Sequence, residues 1–219
     1  MKFIDIENWK RKKQYEQFSS FANPCYTVGV QLDVTQAVTY SKEKGKPFFD
    51  CFLYVLTRVC NRFEGFRLRM DEEKRVVCYD TVHPSYTVLL PDNGYEVCRT
   101  EFDRDFSTFS KQLREDIEKV KNGGNGDQKL NGDGKTDLLY FSCVPWVELE
   151  LYSDPLPLGN HPSMSIPRIS WSKYVLRDGR YTMHISYTLN HALIDGYELS
   201  RSILCLQEAL AHFEEWIST

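Results

Sequence analysis

The chain has 219 residues, enough for one domain with a sizeable core. Its net charge is −4, 26% of its residues are charged, and no basic stripe is visible, so neither nucleic acid nor an anionic membrane is expected as a partner. Seven cysteines with no C-x-x-C spacing argue against a zinc site and a disulfide framework, and fit free thiols in a reducing cytoplasm.

Met1 to Asn8 carry acids and no apolar run, so no secretory leader is expected. Asp5 to Phe18 reads as a short helix that Asp5 caps, with Trp9 opening its apolar side and Lys10 to Lys13 on a solvated face. Cys25 to Leu32 alternates as a strand. Val34 to Glu43 is a helix ended by Gly45, and Pro47 to Phe63 is a second, central helix. The run Pro47 to Cys60 is too short to cross a membrane and contains Asp50 and Arg58. Strands are expected around Phe66 to Met70, Arg75 to Tyr79, Tyr86 to Leu90 and Tyr95 to Glu101, punctuated by Pro84 and the turn Pro91-Asp92-Asn93-Gly94. Phe106 to Lys121 is an amphipathic helix.

Asn122 to Thr136, rich in Gly, Asn and Asp, reads as a mobile loop. Gly134-Lys135-Thr136 lacks the earlier glycine of a phosphate loop, since position 129 is Lys129. Asn131-Gly132-Asp133 lacks the turn glycine and closing glutamate of a calcium loop, so no metal is expected there. Asp137 to Val144 is a strand that Pro145-Trp146 ends, Val147 to Tyr152 continues extended, and a connection through Pro155, Pro157, Pro162 and Pro167 follows. Ile169 to Leu176 and Tyr181 to Leu189 form a hairpin across Arg177-Asp178-Gly179-Arg180. Tyr197 to Trp216 is the last helix. The elements mix without a strict βα repeat, so an α/β two-layer sandwich is expected, as one domain over residues 1–219.

The chemistry concentrates in Met183 to Tyr197. Met183, Ile185, Tyr187 and Leu189 alternate with polar residues, and His191 falls in phase with the apolar side. A histidine held inward at a strand exit, before the Asp195-Gly196 turn, suits a general base. On chemistry alone, a satisfied core histidine before an ordinary turn reads slightly better, because His, Asp and Gly are common enough to meet by accident.

Asn190-His191-Ala192-Leu193-Ile194-Asp195-Gly196 resembles the H-H-x-x-x-D-G signature of chloramphenicol acetyltransferases, shared more loosely with dihydrolipoamide acyltransferase catalytic domains. Asn8-Trp9-Lys10-Arg11 resembles the family's N-W-x-R opening, and Ser142-Cys143-Val144-Pro145-Trp146 its S-x-x-P-W segment. The resemblance spans essentially the whole chain. It implies a mixed sheet with flanking helices and a homotrimer with active sites between subunits. It also implies direct acetyl transfer from acetyl-CoA to a small hydroxyl-bearing acceptor, with no metal and no acyl-enzyme.

By that resemblance His191 is the base, Ser142 donates to the oxyanion, Arg11 pairs with Asp195, and Ser170 matches a threonine that holds a water. Cys143 alternates to the opposite face from Ser142 and is not a nucleophile. Asn190 stands where the first histidine sits. Phe18, Leu149 and Tyr152 occupy places that line the antibiotic, with Glu148 and Glu150 alongside, which leaves the identity of the acceptor open. Two alternatives remain. One is the acyltransferase core of a 2-oxo acid dehydrogenase complex, for which a lipoyl-carrying domain and an Ala/Pro linker are missing. The other is a non-catalytic CoA-binding relative, against which His191, Ser142, Asp195, Gly196 and Arg11 argue together.

Overall fold

A computed structural model describes residues 1–124, 135–157 and 161–218. Most of the expected Asn122–Thr136 loop, with Asn131-Gly132-Asp133 and Gly134, therefore lies outside the described residues.

The elements run β1 (Lys2–Phe3), α1 (Lys12–Phe18), β2 (Cys25–Asp33), α2 (Thr35–Glu43), α3 (Phe48–Arg62), α4 (Glu64–Arg67), β3 (Leu68–Met70) and β4 (Val76–Cys78). They continue with β5 (His83–Leu89), β6 (Tyr95–Arg99), α5 (Phe106–Lys121), β7 (Leu138–Val144), a 3-10 turn (Pro162–Ser165), β8 (Arg168–Ser172), β9 (Val175–Arg177), β10 (Arg180–Asn190), α6 (Gly196–Ala211) and α7 (Phe213–Ser218). Strands β1, β4 and β3 form a small sheet. The main sheet has the order β2-β10-β8-β7-β5-β6, and β9 also pairs with β10. It is mixed: β7 runs parallel to β5 and β8, and the other neighbours are antiparallel.

Register sorts the two faces of this sheet. Ile185 faces Trp171, Tyr187 faces Ile169, Ile169 faces Phe141, and Phe141 faces Tyr86. Direct partners share a face, so this face is an apolar sheet surface. Helix α3 packs on it: the Phe52 ring lies 5.2 Å from Trp171, and Phe49 lies 5.6 Å from Tyr86. The opposite face carries Ser142, Ser170 and Ser186 in one row, and Tyr140, Arg168, Thr188 and Thr27 in the next.

Several expectations are corrected. Helix α1 begins at Lys12, not Asp5. The Asp5 carboxylate instead accepts from the Glu7 amide at 3.1 Å and from Asn8 Nδ2 at 2.7 Å, a local turn that competes with helix. The first half of the Phe66–Met70 segment is the helical turn α4. Val147 to Tyr152 joins no strand. The last helix breaks at His212 (φ −114°, ψ 42°). The β9–β10 hairpin turns on Asp178 (φ 48°) and Gly179 (φ 77°), two left-handed residues in succession, as a tight two-residue turn requires.

Two buried charges staple the layers. Arg69 is fully buried and donates to the carbonyls of Phe66 (2.9 Å), Leu68 (2.5 Å), Thr136 (2.6 Å) and Leu138, tying β3 to the entry of β7. Burial draws its pKa down to about 10. Asp50, fully buried on α3, is gripped by Arg114 of α5 through two guanidinium nitrogens and by Ser110 at 3.2 Å. Arg114→Met strands that carboxylate, and is expected to cost about 3 kcal/mol or more in urea unfolding. The Asp50→Leu/Arg114→Met pair should recover most of the loss, because neither charge is then left alone in the interior.

Candidate active site

Strand β10 ends at Asn190, and Asn190 builds the turn that follows. Its Oδ1 accepts from the Ala192 amide at 3.0 Å, and its carbonyl accepts from the amides of Leu193 and Ile194, each at 3.0 Å. Its Nδ2 reaches the Met164 carbonyl at 3.4 Å. The residue that replaces the expected histidine thus organises the turn, leaving His191 to project from it.

The His191 amide donates to Pro24 O at 2.9 Å. Its ring stacks on Phe18, with centroids 4.0 Å apart and planes 18° apart, and lies 4.8 Å from the Tyr26 ring. Nδ1 is buried without a hydrogen-bond partner among the described residues. Tyr26 is held in turn by its hydroxyl, which donates to Ile194 O at 3.3 Å.

Behind this ring, Asp195 does two jobs. It caps α6, its Oδ1 accepting from the Glu198 amide at 2.9 Å, and its Oδ2 receives Arg11 Nη1. Arg11 lies just before α1, so the ion pair joins the start of the chain to the helix that follows the histidine. Burial works to raise the Asp195 pKa, but the Glu198 amide and the Arg11 guanidinium outweigh it, and the net shift is downward. A cleft of about 900 Å³ runs along the outer side of this pair, between Arg11, Arg62, Asp195, Tyr197, Arg201 and Glu208. Neither His191 nor Ser142 lines it.

Ser142 and Ser170 sit on the polar face. Ser142 on β7 is opposite Ser170 on β8, which is opposite Ser186 on β10, which is opposite Gly29 on β2. The segment after Trp146 drapes across this row. Ser186 Oγ accepts from the Tyr152 amide at 2.9 Å, and the Ser170 hydroxyl donates to Asp154 Oδ2 at 3.1 Å. Gly29 makes the crossing possible, since a Cβ there would lie 2.9 Å from both Glu150 O and Leu151 Cδ1. Leu149 and Tyr152 are half-buried in this segment. Burial raises the Asp154 pKa, with Ser170 and Arg168 pulling it partly back. Cys143 faces the other way, opposite Trp171, and burial pushes its thiol up to about 12, which removes the thiolate at neutral pH.

The structure therefore brings Arg11 to Asp195, Phe18 to His191, and Ser142 to Ser170, but it does not bring His191 to Ser142 within one chain. Ser186 lies five residues before His191 on β10, roughly 17 Å at 3.3 Å per residue, and Ser142 lies a further two strands, roughly 10 Å, to the side. The chain carries two separate candidate half-sites. Tyr26, Gly29, Asp154 and Arg168 are members that sequence reasoning missed. The lone glycine inside an alternating strand signals Gly29, and alternation with Ser170 signals Arg168. Asp154, in irregular chain, has no such signal.

Among the described residues, no group of three or more His, Cys, Asp or Glu side chains could hold a metal ion, and no helix is long and apolar enough to cross a membrane. The family model described as chloramphenicol acetyltransferase matches residues 1–207. A chloramphenicol acetyltransferase of Clostridium perfringens is 30% identical over 220 residues, covering 99% of each chain. One from Campylobacter coli is 30% identical over 210 residues, covering 94% of this chain and 97% of its own. A solved chloramphenicol acetyltransferase superposes with a TM-score of 0.87 at 28% identity, covering 95% and 99% of the two chains. The catalytic core of a 2-oxoacid dehydrogenase complex from Thermoplasma acidophilum shares the fold, with a TM-score of 0.66 at 17% identity.

The double role of Asp195 is separable. Asp195→Asn keeps a cap and loses the ion pair, whereas Asp195→Ala loses both, so Ala should be the less stable by about 1 kcal/mol in chemical denaturation. Because the folded pKa of Asp195 is depressed, its contribution is complete above the ordinary carboxylate pKa of about 4 and fades as pH falls through the lower folded value. The stability gap between wild type and Asp195→Asn should therefore narrow on acidification below about pH 4.

Proposed function

The chain belongs to the chloramphenicol acetyltransferase family, and from that premise we propose how its two half-sites divide an acetyl transfer from acetyl-CoA to an acceptor hydroxyl. With Nδ1 turned into the protein, His191 presents Nε2 to the acceptor. Nε2 takes the hydroxyl proton as the oxygen attacks the thioester carbonyl. The carbonyl electron pair moves onto oxygen, where the Ser142 hydroxyl donates to it. Collapse of that intermediate breaks the C–S bond, and the CoA thiolate leaves with the proton that His191 had taken. Phe18 and Tyr26 hold the imidazole plane, while Arg11 and Asp195 hold the turn and helix behind it. Leu149, Tyr152 and Ser170 border the acceptor, which is chloramphenicol or a related hydroxyl compound.

The observation that carries this reading is the clamped imidazole at the end of β10, stacked on Phe18 and anchored through its backbone amide to Pro24. The distance between His191 and Ser142 in one chain favours sites that form where one copy's histidine faces its neighbour's serine, as in the homotrimer that the family resemblance implies. Residues 1–219 act in this reading as one acetyltransferase domain in the cytoplasm, where the seven free cysteines stay reduced. Acetylation of chloramphenicol would then confer antibiotic resistance.

His191→Ala should remove essentially all CoA thiol release while leaving thermal unfolding cooperative. Ser142→Ala should lower kcat by roughly tenfold to a thousandfold, the scale of one oxyanion donor. Mixing the two variants and reassembling them tests the shared site. Random assembly unites a native histidine with a neighbour's native serine at about a quarter of the sites in a closed ring, so activity should return. A mixture no more active than its parts places both residues of each site in one chain.

A further inference from the structure

The acceptor half-site is more polar than its role in holding a small organic molecule requires. Its floor is the serine row of the sheet face that the segment after Trp146 crosses. Ser170 is 1% exposed and stands one strand, roughly 4.8 Å, from Ser142. The Ser170 hydroxyl lies 3.1 and 3.4 Å from the two oxygens of Asp154. A hydroxyl has one proton to give. Once Ser170 donates it to the carboxylate, its oxygen offers only lone pairs to whatever lies above. Asp154 offers lone pairs as well: a carboxylate accepts at about four positions, and Ser170 fills only part of them.

The cation whose charge reaches Asp154 does not close that demand. Arg168, 7% exposed, lies one residue pair along from Ser170 on the same side of β8. Its Nη1 is committed to Ser163 O at 2.9 Å and Ile166 O at 3.2 Å, and its guanidinium lies over the Tyr140 ring at 5.3 Å. It acts as a fixed positive charge that helps keep Asp154 ionised. Asp154 and the Ser170 oxygen together form an acceptor-rich corner beside the proposed oxyanion donor. A ligand that covers this corner without supplying a donor leaves buried acceptors unpaired, and a site built to bond a hydroxyl discriminates steeply against an analogue lacking it.

We propose that this half-site selects acceptors bearing a second hydroxyl within reach of Asp154 beside the reactive one, diols and polyols, and that Asp154 receives that second hydroxyl. The inference rests on the acetyltransferase reading above and narrows its acceptor class. Asp154 is then a specificity residue that touches the acceptor without exchanging a proton with the reacting centre.

The test uses acetyl-CoA with 1-phenylethane-1,2-diol, with 2-phenylethanol, which lacks only the second hydroxyl, and with chloramphenicol. In the wild type the diol should exceed the mono-alcohol in kcat/KM by at least about tenfold. Asp154→Ala and the bulkier Asp154→Leu should bring that ratio to within about threefold of unity, by slowing the diol and not the mono-alcohol. Thermal unfolding of both variants near the wild-type Tm shows that the fold is kept. An unchanged ratio in two folded variants overturns the proposal, as does a wild type that prefers the mono-alcohol. Turnover of chloramphenicol, itself a diol, that Asp154→Ala and Asp154→Leu leave unchanged also overturns it, while leaving the acetyltransferase reading intact. Turnover of none of the three, with His191→Ala indistinguishable from wild type, removes the acetyltransferase reading and this inference with it.

Discussion

The register of β10 against β2 and β8 is the constraint on which the rest depends. Leu189 must meet Tyr26, and Ser186 must meet both Ser170 and Gly29. A slip of one residue would exchange the two sides of the strand, sending serines toward α3 and isoleucine toward the open face. The same pairing fixes where β10 ends, hence where Asn190 turns the chain and where His191 emerges. Apolar burial on one side thus sets the position of the His191 ring on the end of the strand, and of a serine row on its back.

Much of this was legible from periodicity, because burial imposes it. Helix α5 spans Phe106–Lys121, as its apolar spacing predicts, and α3 carries its wide phenylalanine face into the core. The Asp178-Gly179 turn follows from two residue types that tolerate positive φ. Where local chemistry offered the backbone two choices, the pattern misled. Asp5 prefers its neighbours' amides to a helix start, and the Leu210–Phe213 stripe continues across a break at His212. Periodicity gives Val147 to Tyr152 only as extended chain, since nothing in its composition says that it crosses the sheet at Gly29.

The site was legible in its parts and not in its assembly. The signature carrying His191 and Asp195 and the distant Arg11 converge in space, as the resemblance implied. The half-site built on Ser142 and Ser170 is equally intact, yet it lies far along the sheet from the histidine. A linear motif cannot express that distance, because it depends on which strands pair and in which direction. The replacement of a signature histidine by Asn190 is also explained by the fold: the side chain is spent on the Ala192 amide and the Met164 carbonyl, a task an amide performs well.

Arg69 has a consequence for how this chain can vary. Its guanidinium is bound to main-chain oxygens at two distant places, Phe66 to Leu68 and Thr136 to Leu138. Such partners are indifferent to side-chain identity, so substitutions at those positions leave the clamp closed. They are not indifferent to chain path. Insertions and deletions between them have to leave two anchor points where they are, so the clamp tolerates a change of residue far better than a change of length at either end.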